Sequence, residues 1–231
     1  MSSITILQEK DRFTYFVDTA QSIVINDTTY RAQGMDIQKT YPIAKDIVFL
    51  SGDTKDLDII LNVLPNMVGA NGHIKANKLQ IFLKENFIPI DDRNSKTINS
   101  LAIMSIVNGK TLTVAMKQSY EHFKITSYGP PTSGIDIHTD GFNNVEICEA
   151  IIERNKTNIK TTGKSDIVKD IFDTYNDRYS EGVGGKILMY LFDVSGQRLI
   201  HTEQLIETGL KYMHKGINVL PSGECLAIHI N

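Results

Sequence analysis

The chain has 231 residues, 41% of them hydrophobic and 22% charged, with a formal net charge of −3, a balance typical of a globular protein. Without a basic excess, an acidic tail or an apolar run of about 18 residues, the sequence predicts neither a nucleic-acid partner nor a membrane partner. Two cysteines are too few for a secreted disulfide scaffold, and the first residues show no signal-peptide pattern, so we expect a cytoplasmic protein.

The first 50 residues are predicted to be mainly β-strands, because short apolar or alternating runs are separated by turn residues. Residues 3–7 and 13–17 form a hairpin. Further strands are expected at residues 22–25 and 47–50. The last of these is a continuous apolar run, which is typical of a strand covered on both faces.

The rest of the chain alternates pairs of helices with groups of strands. The expected elements are, in chain order, a helix capped by Asp53 or Thr54, a helix from Asn77, strands at 101–107, 112–116, 123–125 and 135–138, a helix capped by Asn143 or Asn144, a helix capped by Ser165, a strand at 186–192, a helix at 203–214 and a strand at 226–230. The polar stretch 156–164 is predicted to be a loop. This order favours an α+β fold with helices packed outside sheets, and no linker divides the single domain 1–231.

Ser2 is the first candidate for chemistry. Met1 is generally removed when a small residue follows it, and its removal would give Ser2 a free α-amine. An α-amine ordinarily has a pKa of about 7.7–8.0, close to the value that a general base needs. A serine hydroxyl requires an adjacent base to become nucleophilic. Met-Ser-Ser is also an ordinary chain start, so the rest of the pattern has to decide.

The opening hairpin resembles that of proteasome β subunits and their bacterial relatives, which belong to the N-terminal-nucleophile hydrolases. In that family a nucleophile opens the first strand, and an aspartate closes the second strand sixteen residues later. Ser2 and Asp18 have this spacing, and the small residue Thr19 follows. The resemblance covers about residues 2–195 and implies a four-layer αββα sandwich, in which residues 196–231 form a C-terminal extension that completes the sheet.

Lys39 is the candidate for the lysine of that family's active site. Residues 37–43 resemble the strand that carries it, and residues 46–53 resemble the following strand, small-residue turn and helix start. The spacing before Lys39 is longer than usual, and Lys45, in the loop before the next strand, is the alternative. A buried lysine beside Asp18 would lower the pKa of a nearby hydroxyl or amine through its positive potential.

Thr139 lies between a strand and a helix, where the family has a Gly-Ser-Gly-like turn facing the nucleophile. The resemblance makes Thr139 the counterpart of that serine. His138 and Asp140 stand where the family has glycines, and their bulk is expected to hinder close approach of the backbone. The other histidines show no close spacing with possible metal ligands, so neither a metal nor another cofactor is expected.

Asp177 and Ser180 match an Asp-x-x-Ser motif that supports the terminal amine in the family. The resemblance therefore implies acyl transfer, in which the Ser2 hydroxyl attacks a peptide or small amide and its α-amine accepts the proton. Lys39 would set the electrostatics, and a backbone amide near Asp53 would stabilise the oxyanion.

An inactive relative is the alternative. The serine in place of the threonine of proteasome β subunits, together with His138 and Asp140, favours a chain that keeps the fold as a structural part of a larger assembly. Such an assembly could belong to a virus or a mobile element. An amidase or acylase acting on a small amide is a third hypothesis. In each case we expect a homo-oligomer or a member of a larger assembly.

Overall fold

The computed structural model describes residues 2–25, 28–52, 54–87, 100–118, 123–180 and 182–210, and three short stretches at 212–213, 218–219 and 225–226. Its strands are, in chain order, β1 (Ser3–Gln8), β2 (Phe13–Asp18), β3 (Ala20–Ile25), β4 (Thr28–Asp36), β5 (Thr40–Ile43), β6 (Asp46–Ser51), β7 (Ser100–Val107), β8 (Lys110–Gln118), β9 (Phe123–Tyr128), β10 (Asp136–Gly141), β11 (Lys186–Asp193), β12 (Gly196–Gln204), β13 (Tyr212–Met213), β14 (Asn218–Val219) and β15 (Cys225–Leu226). The helices are α1 (Thr54–Val63), α2 (Ala76–Asn86), α3 (Asn144–Thr162) and α4 (Ile167–Arg178), and a 3-10 turn (Leu64–Met67) follows α1. The protein is therefore mixed α+β, as predicted.

Two five-stranded antiparallel sheets form the centre of the molecule. The first sheet has the order β10-β1-β2-β11-β12 and the second has the order β5-β6-β7-β8-β9. A smaller sheet contains β3 and β4, with β13 parallel to β4, and β14 pairs with β15. Because β1 lies between β10 and β2, the start of the chain enters the first sheet at an interior strand.

The two large sheets pack face to face through alternate residues of their strands. The buried cluster between them contains Ile4, Ile6, Phe13, Tyr15, Val17, Ile47, Phe49, Ala102, Met104 and Phe192. Alternation turns Ser3 and Thr5 to the opposite face, where both hydroxyls lie 3.2 Å from the Tyr175 hydroxyl of α4. Each fully buried aliphatic or phenylalanine side chain contributes about 1.5–3 kcal/mol to folding.

Helices cover the other faces of the two sheets. The apolar faces of α1, the 3-10 turn and α2 pack on the second sheet through a cluster that contains Val48, Leu50, Ile60, Leu64, Leu79, Leu83, Leu101 and Ile103. The apolar faces of α3 and α4 pack on the first sheet through a cluster that contains Leu7, Phe16, Ile147, Ile151, Ile171, Phe172, Tyr175 and Ile187. No helix in the described part of the chain is long and apolar enough to cross a membrane.

The prediction of a loop at residues 156–164 was wrong. Helix α3 continues to Thr162, and Gly163 ends it with a left-handed φ of 71°. The last two turns of this helix are largely exposed, so they lack the apolar periodicity that indicates a helix. Helix α4 is capped by Asp166 and not, as predicted, by Ser165. The Asp166 side chain accepts from the Lys169 amide at 3.1 Å.

The prediction of a helix at residues 203–214 was also wrong. Strand β12 runs to Gln204, and residues 205–210 contain no helix. Strand β4 was not predicted, although it is nine residues long, because its polar residues show little alternation. The remaining predicted strands and helices are confirmed within a few residues, and positions 227–230 of the last predicted strand lie outside the described residues.

Candidate active site

Ser2 is held at one end of the space between the two large sheets. Its carbonyl oxygen accepts a hydrogen bond from the Phe142 amide at 2.7 Å and another from the Ser51 hydroxyl at 3.3 Å. The residue is only 4% exposed. The start of β1 is therefore fixed from both sheets, by Phe142 directly after β10 and by Ser51 at the end of β6.

Asp18, at the end of β2, is the buried anion beside this position. Its Oδ1 accepts from the Ser3 amide at 2.8 Å, and its Oδ2 accepts from Lys39 Nζ at 2.6 Å, the Gly184 amide at 3.1 Å and the Ala20 amide at 3.2 Å. The side chain of Asp18 is 0% exposed. Four donors thus stabilise one carboxylate, which is the condition for burying a charge at acceptable cost.

Lys39 completes this ion pair with a side chain that is 1% exposed. Burial lowers the pKa of the Lys39 ammonium, while the attraction of Asp18 opposes that change. The Leu50 amide donates to the Lys39 carbonyl at 3.0 Å and so fixes the backbone next to β5. Lys45, the alternative candidate, is exposed and its amide bonds the Gly72 carbonyl, so the structure places Lys39 and not Lys45 at Asp18.

A second buried ion pair, which the sequence did not indicate, lies next to Gly184, whose amide bonds Asp18. Arg31 of β4 pairs with Glu207, and their side chains are 3% and 8% exposed. The Glu207 carboxylate also accepts from the Gly185 amide at 2.6 Å. Any side chain at Gly184, whose φ is 148°, would collide with both members of the pair. The charge of Arg31 further lowers the pKa of Lys39.

A third polar group joins β2, β4 and β11. The Thr19 hydroxyl donates to Asp36 at 2.9 Å and accepts from the Lys186 amide at 2.9 Å, while Lys186 Nζ lies 2.5 Å from Asp36. Partial burial raises the pKa of Asp36, but the hydrogen bonds from Lys186 and Thr19 lower it more, so the net shift is downward. The Lys186 and Asp36 side chains are each 44% exposed.

The β10 side of Ser2 has a different character. Gly141 has a φ of 92°, and a side chain there would collide with the Ser2 carbonyl. Asp140 is 3% exposed, its Oδ1 accepts from the Gly141 amide at 2.8 Å, and Lys117 Nζ lies 3.7 Å away. Burial raises the pKa of Asp140 to about 6, although the Gly141 amide and Lys117 oppose this shift.

The prediction that His138 and Asp140 would hinder close approach of the backbone was wrong. Gly141 makes the close approach to Ser2, and the neighbouring Phe142 amide reaches the Ser2 carbonyl. His138 lies further along β10, where its ring packs against Tyr128 with 4.3 Å between centroids. Burial lowers the pKa of the His138 imidazole.

Three predicted site residues are engaged elsewhere. Thr139 faces the helix side of the first sheet opposite Thr5, and its hydroxyl donates to the Asn144 carbonyl at 2.8 Å. Asp177 is 62% exposed and pairs with Arg154 of α3. The Ser180 hydroxyl accepts from the Gly182 amide at 3.2 Å. The structure therefore brings Ser2, Asp18 and Lys39 to one end of the sheets. Asp177 and Ser180, which were expected to support the Ser2 α-amine, bond other partners.

No protein-family model matches the sequence, and no curated protein is significantly similar to it. Among the described residues, no group of three or more histidine, cysteine, aspartate or glutamate side chains could hold a metal ion. Asp53, whose amide was the candidate oxyanion donor, lies outside the described residues.

The arrangement suits a serine nucleophile better than a binding site for a charged group. Asp18 neutralises the Lys39 ammonium, and every described ionic group on the β2 side has a partner. Lys39 reaches the start of β1 only through Asp18, whose Oδ1 accepts from the Ser3 amide. What the Ser2 hydroxyl additionally needs is a base within reach.

Proposed function

We propose that the chain is a hydrolase of the N-terminal-nucleophile type that cleaves a peptide or small amide by acyl transfer to Ser2. The observation that carries this proposal is the buried Asp18–Lys39 pair, which is bonded at 2.8 Å to the amide that follows Ser2. A fixed serine at the start of an interior strand, beside a buried lysine, combines nucleophile and electrostatic support.

The fold supports the same proposal. Its three apolar clusters lie between α1–α2 and the second sheet, between the two sheets, and between the first sheet and α3–α4. We infer from their order a four-layer αββα sandwich similar to a proteasome β subunit. In such a sandwich the start of β1 opens at one end of the layer between the sheets, where Ser2 lies.

The proposed reaction begins when Ser2 Oγ attacks the carbonyl carbon of the substrate. The resemblance assigns the proton of this hydroxyl to the Ser2 α-amine once Met1 has been removed. The proton then passes to the leaving amine, and an ester remains on Ser2. Water hydrolyses this ester in a second step, which returns the hydroxyl to its starting state.

A β-lactone tests the proposal, because a nucleophilic serine opens its ring and keeps the whole probe as an ester. We expect one adduct per chain in the wild type and none in Ser2→Ala. Ser3→Ala is the matched control, because the Ser3 hydroxyl faces α4 and bonds Tyr175. Loss of labelling in Ser3→Ala as well, or its persistence in Ser2→Ala, would contradict the assignment.

A catalytically inactive scaffold is the second candidate. It is favoured by the positions of Thr139, Asp177 and Ser180, which bond other partners and do not surround Ser2. A folded wild-type protein that forms a large assembly, but no β-lactone adduct, would support this function. Intact mass spectrometry and light scattering on the same sample distinguish the two candidates.

A further inference from the structure

A row of polar side chains on the second sheet faces Ser2. Ser51, Ser100 and Lys117 are successive cross-strand partners on β6, β7 and β8. The Ser51 hydroxyl donates to the Ser2 carbonyl at 3.3 Å, so this row points toward the first sheet. The first sheet contributes Asp140, whose Oδ1 lies 3.7 Å from Lys117 Nζ. The apolar layer between the sheets therefore ends in a polar site.

Ser2 and Asp140 project into this site from the same face of the first sheet. In the β1–β10 ladder Ile4 is opposite Asp140, and Ile4 belongs to the cluster between the sheets. Ser3 faces α4, so alternation points Ser2 to the same side as Ile4. Ser2 and Asp140 are thus diagonal neighbours, a relation in which residues lie about 7–8 Å apart. A general base has to reach the proton that it accepts, directly or through one water molecule.

The carboxylate of Asp140 is incompletely satisfied. Its Oδ2 and the Ser100 hydroxyl have no hydrogen-bond partner within the described part of the chain, although both are buried. The Ser100 hydroxyl is near enough to favour the charged form of Asp140, but it makes no hydrogen bond of normal geometry. A buried carboxylate oxygen without a donor is costly, and it is an effective proton acceptor. Burial also places the pKa of Asp140 near neutrality, at about 6.

We propose that Asp140 is the proton acceptor that activates Ser2, in the role that the resemblance assigns to the α-amine. This inference rests on the proposed hydrolase function. As Ser2 Oγ forms its bond to the substrate carbonyl carbon, its proton moves to Asp140 Oδ2 and the carbonyl π pair moves to oxygen. When the intermediate collapses, the C–N bond breaks and Asp140 returns the proton to the leaving amine.

The same carboxylate serves the second half of the reaction. Asp140 takes one proton from the water that attacks the ester on Ser2, and returns it to Ser2 Oγ as the C–O bond breaks. Asp140 is thus regenerated as a carboxylate, and water supplies the oxygen of the released acid. No step in this scheme uses the α-amine.

The charged groups around Asp140 set the pH at which it works. Lys117 of β8 faces it from the second sheet and lowers its pKa, while Ser100 of β7 contributes only a dipole. On its own strand, the nearest titratable neighbour is His138. The Asp18–Lys39 pair lies on the far side of β1, because β1 separates β10 from β2. Lys117 is therefore the charge whose removal changes Asp140 most.

The test is the rate of β-lactone labelling of Ser2 from pH 5 to pH 9. During labelling, Ser2 Oγ bonds to the lactone carbonyl carbon and loses its proton to Asp140. The ring C–O bond then breaks, and Asp140 passes the proton to the alkoxide that is released. We expect the wild-type rate to rise with a midpoint near pH 6. Asp140→Asn should label at least about 100-fold more slowly, the usual contribution of a general base. Lys117→Met should move the midpoint to higher pH.

Asp136→Asn is the matched control, because Asp136 lies on the same strand and is exposed. Its rate and midpoint should equal those of the wild type. A wild-type midpoint at about 7.7–8.0, with Asp140→Asn unchanged, would assign the proton to the α-amine and overturn this inference alone. No labelling of folded wild type would overturn both this inference and the proposed function. The wild-type profile decides the question even if Asp140→Asn fails to fold.

Discussion

Two buried carboxylates flank Ser2, and they differ in how many hydrogen bonds their oxygens accept. Asp18 on the β2 side accepts four hydrogen bonds, one of them from Lys39 at 2.6 Å. Asp140 on the β10 side accepts one hydrogen bond on Oδ1 and, among the described residues, none on Oδ2. Both oxygens of the first carboxylate are hydrogen-bonded, whereas burial raises the pKa of the second to about 6.

The largest effect is expected for Asp18→Ala. This change leaves Lys39 buried without its counter-ion and removes the acceptor of three backbone amides. Breaking a buried pair from one side costs about 3–5 kcal/mol, so the free energy of unfolding should fall by that amount or the chain should not fold. Urea denaturation monitored by circular dichroism measures the change. A loss below about 1 kcal/mol would show that the pair is not buried as described.

Asp140→Asn is expected to raise the free energy of unfolding, whereas Asp18→Ala lowers it. The folded protein holds the Asp140 proton up to about pH 6, whereas an unfolded carboxyl releases it near its ordinary value of 3.8. Stability from this group is therefore greatest below pH 4, falls as the pH rises through 6, and is then constant. A difference of about two pKa units corresponds to about 3 kcal/mol.

Replacement by asparagine removes this penalty, and its amide can donate to the Ser100 hydroxyl. We expect Asp140→Asn to stabilise the protein by about 1–3 kcal/mol above pH 7 and to leave it unchanged at pH 4. Thermal unfolding at a series of pH values measures the gain above pH 7 and the absence of a change at pH 4. Asp136→Asn should show no such pH-dependent gain. A destabilised Asp140→Asn at pH 8 would mean that the Asp140 carboxylate is as well satisfied as that of Asp18.

The smallest effect is expected for Asp177→Asn. This residue pairs with Arg154 at the surface, and its side chain is 62% exposed. Exposed ion pairs contribute about 0.2–1 kcal/mol, and salt screens them. The loss of stability should therefore lie in this range and vanish in about 1 M salt. A larger, salt-independent loss would place Asp177 in a buried network like that of Asp18.

The β2 side of the site could be anticipated from the sequence because its signals are local. The spacing between Ser2 and Asp18 is that of one hairpin, and hairpins follow from alternation and turn residues. The resemblance, and not alternation, selected Lys39, which lies just before the strand that pairs with β6. The pairing of Arg31 with Glu207 could not be predicted from local sequence patterns, because the two residues are 176 positions apart.

The β10 side could not be anticipated, because it depends on strand register. A shift of one residue moves every side chain of a strand to the opposite face. The resemblance selected Thr139, but the ladder places Thr139 opposite Thr5 on the helix side and Asp140 opposite Ile4 between the sheets. The positions of Asp177 and Ser180 depend likewise on how α4 packs against α3, which spacing along the chain does not reveal.

The most direct test of the central claim is the site of β-lactone attachment in the wild-type protein, mapped by peptide mass spectrometry. The proposed chemistry predicts a single adduct, attached to Ser2. Folded protein with no adduct, or with an adduct on another residue, would contradict Ser2 as the nucleophile.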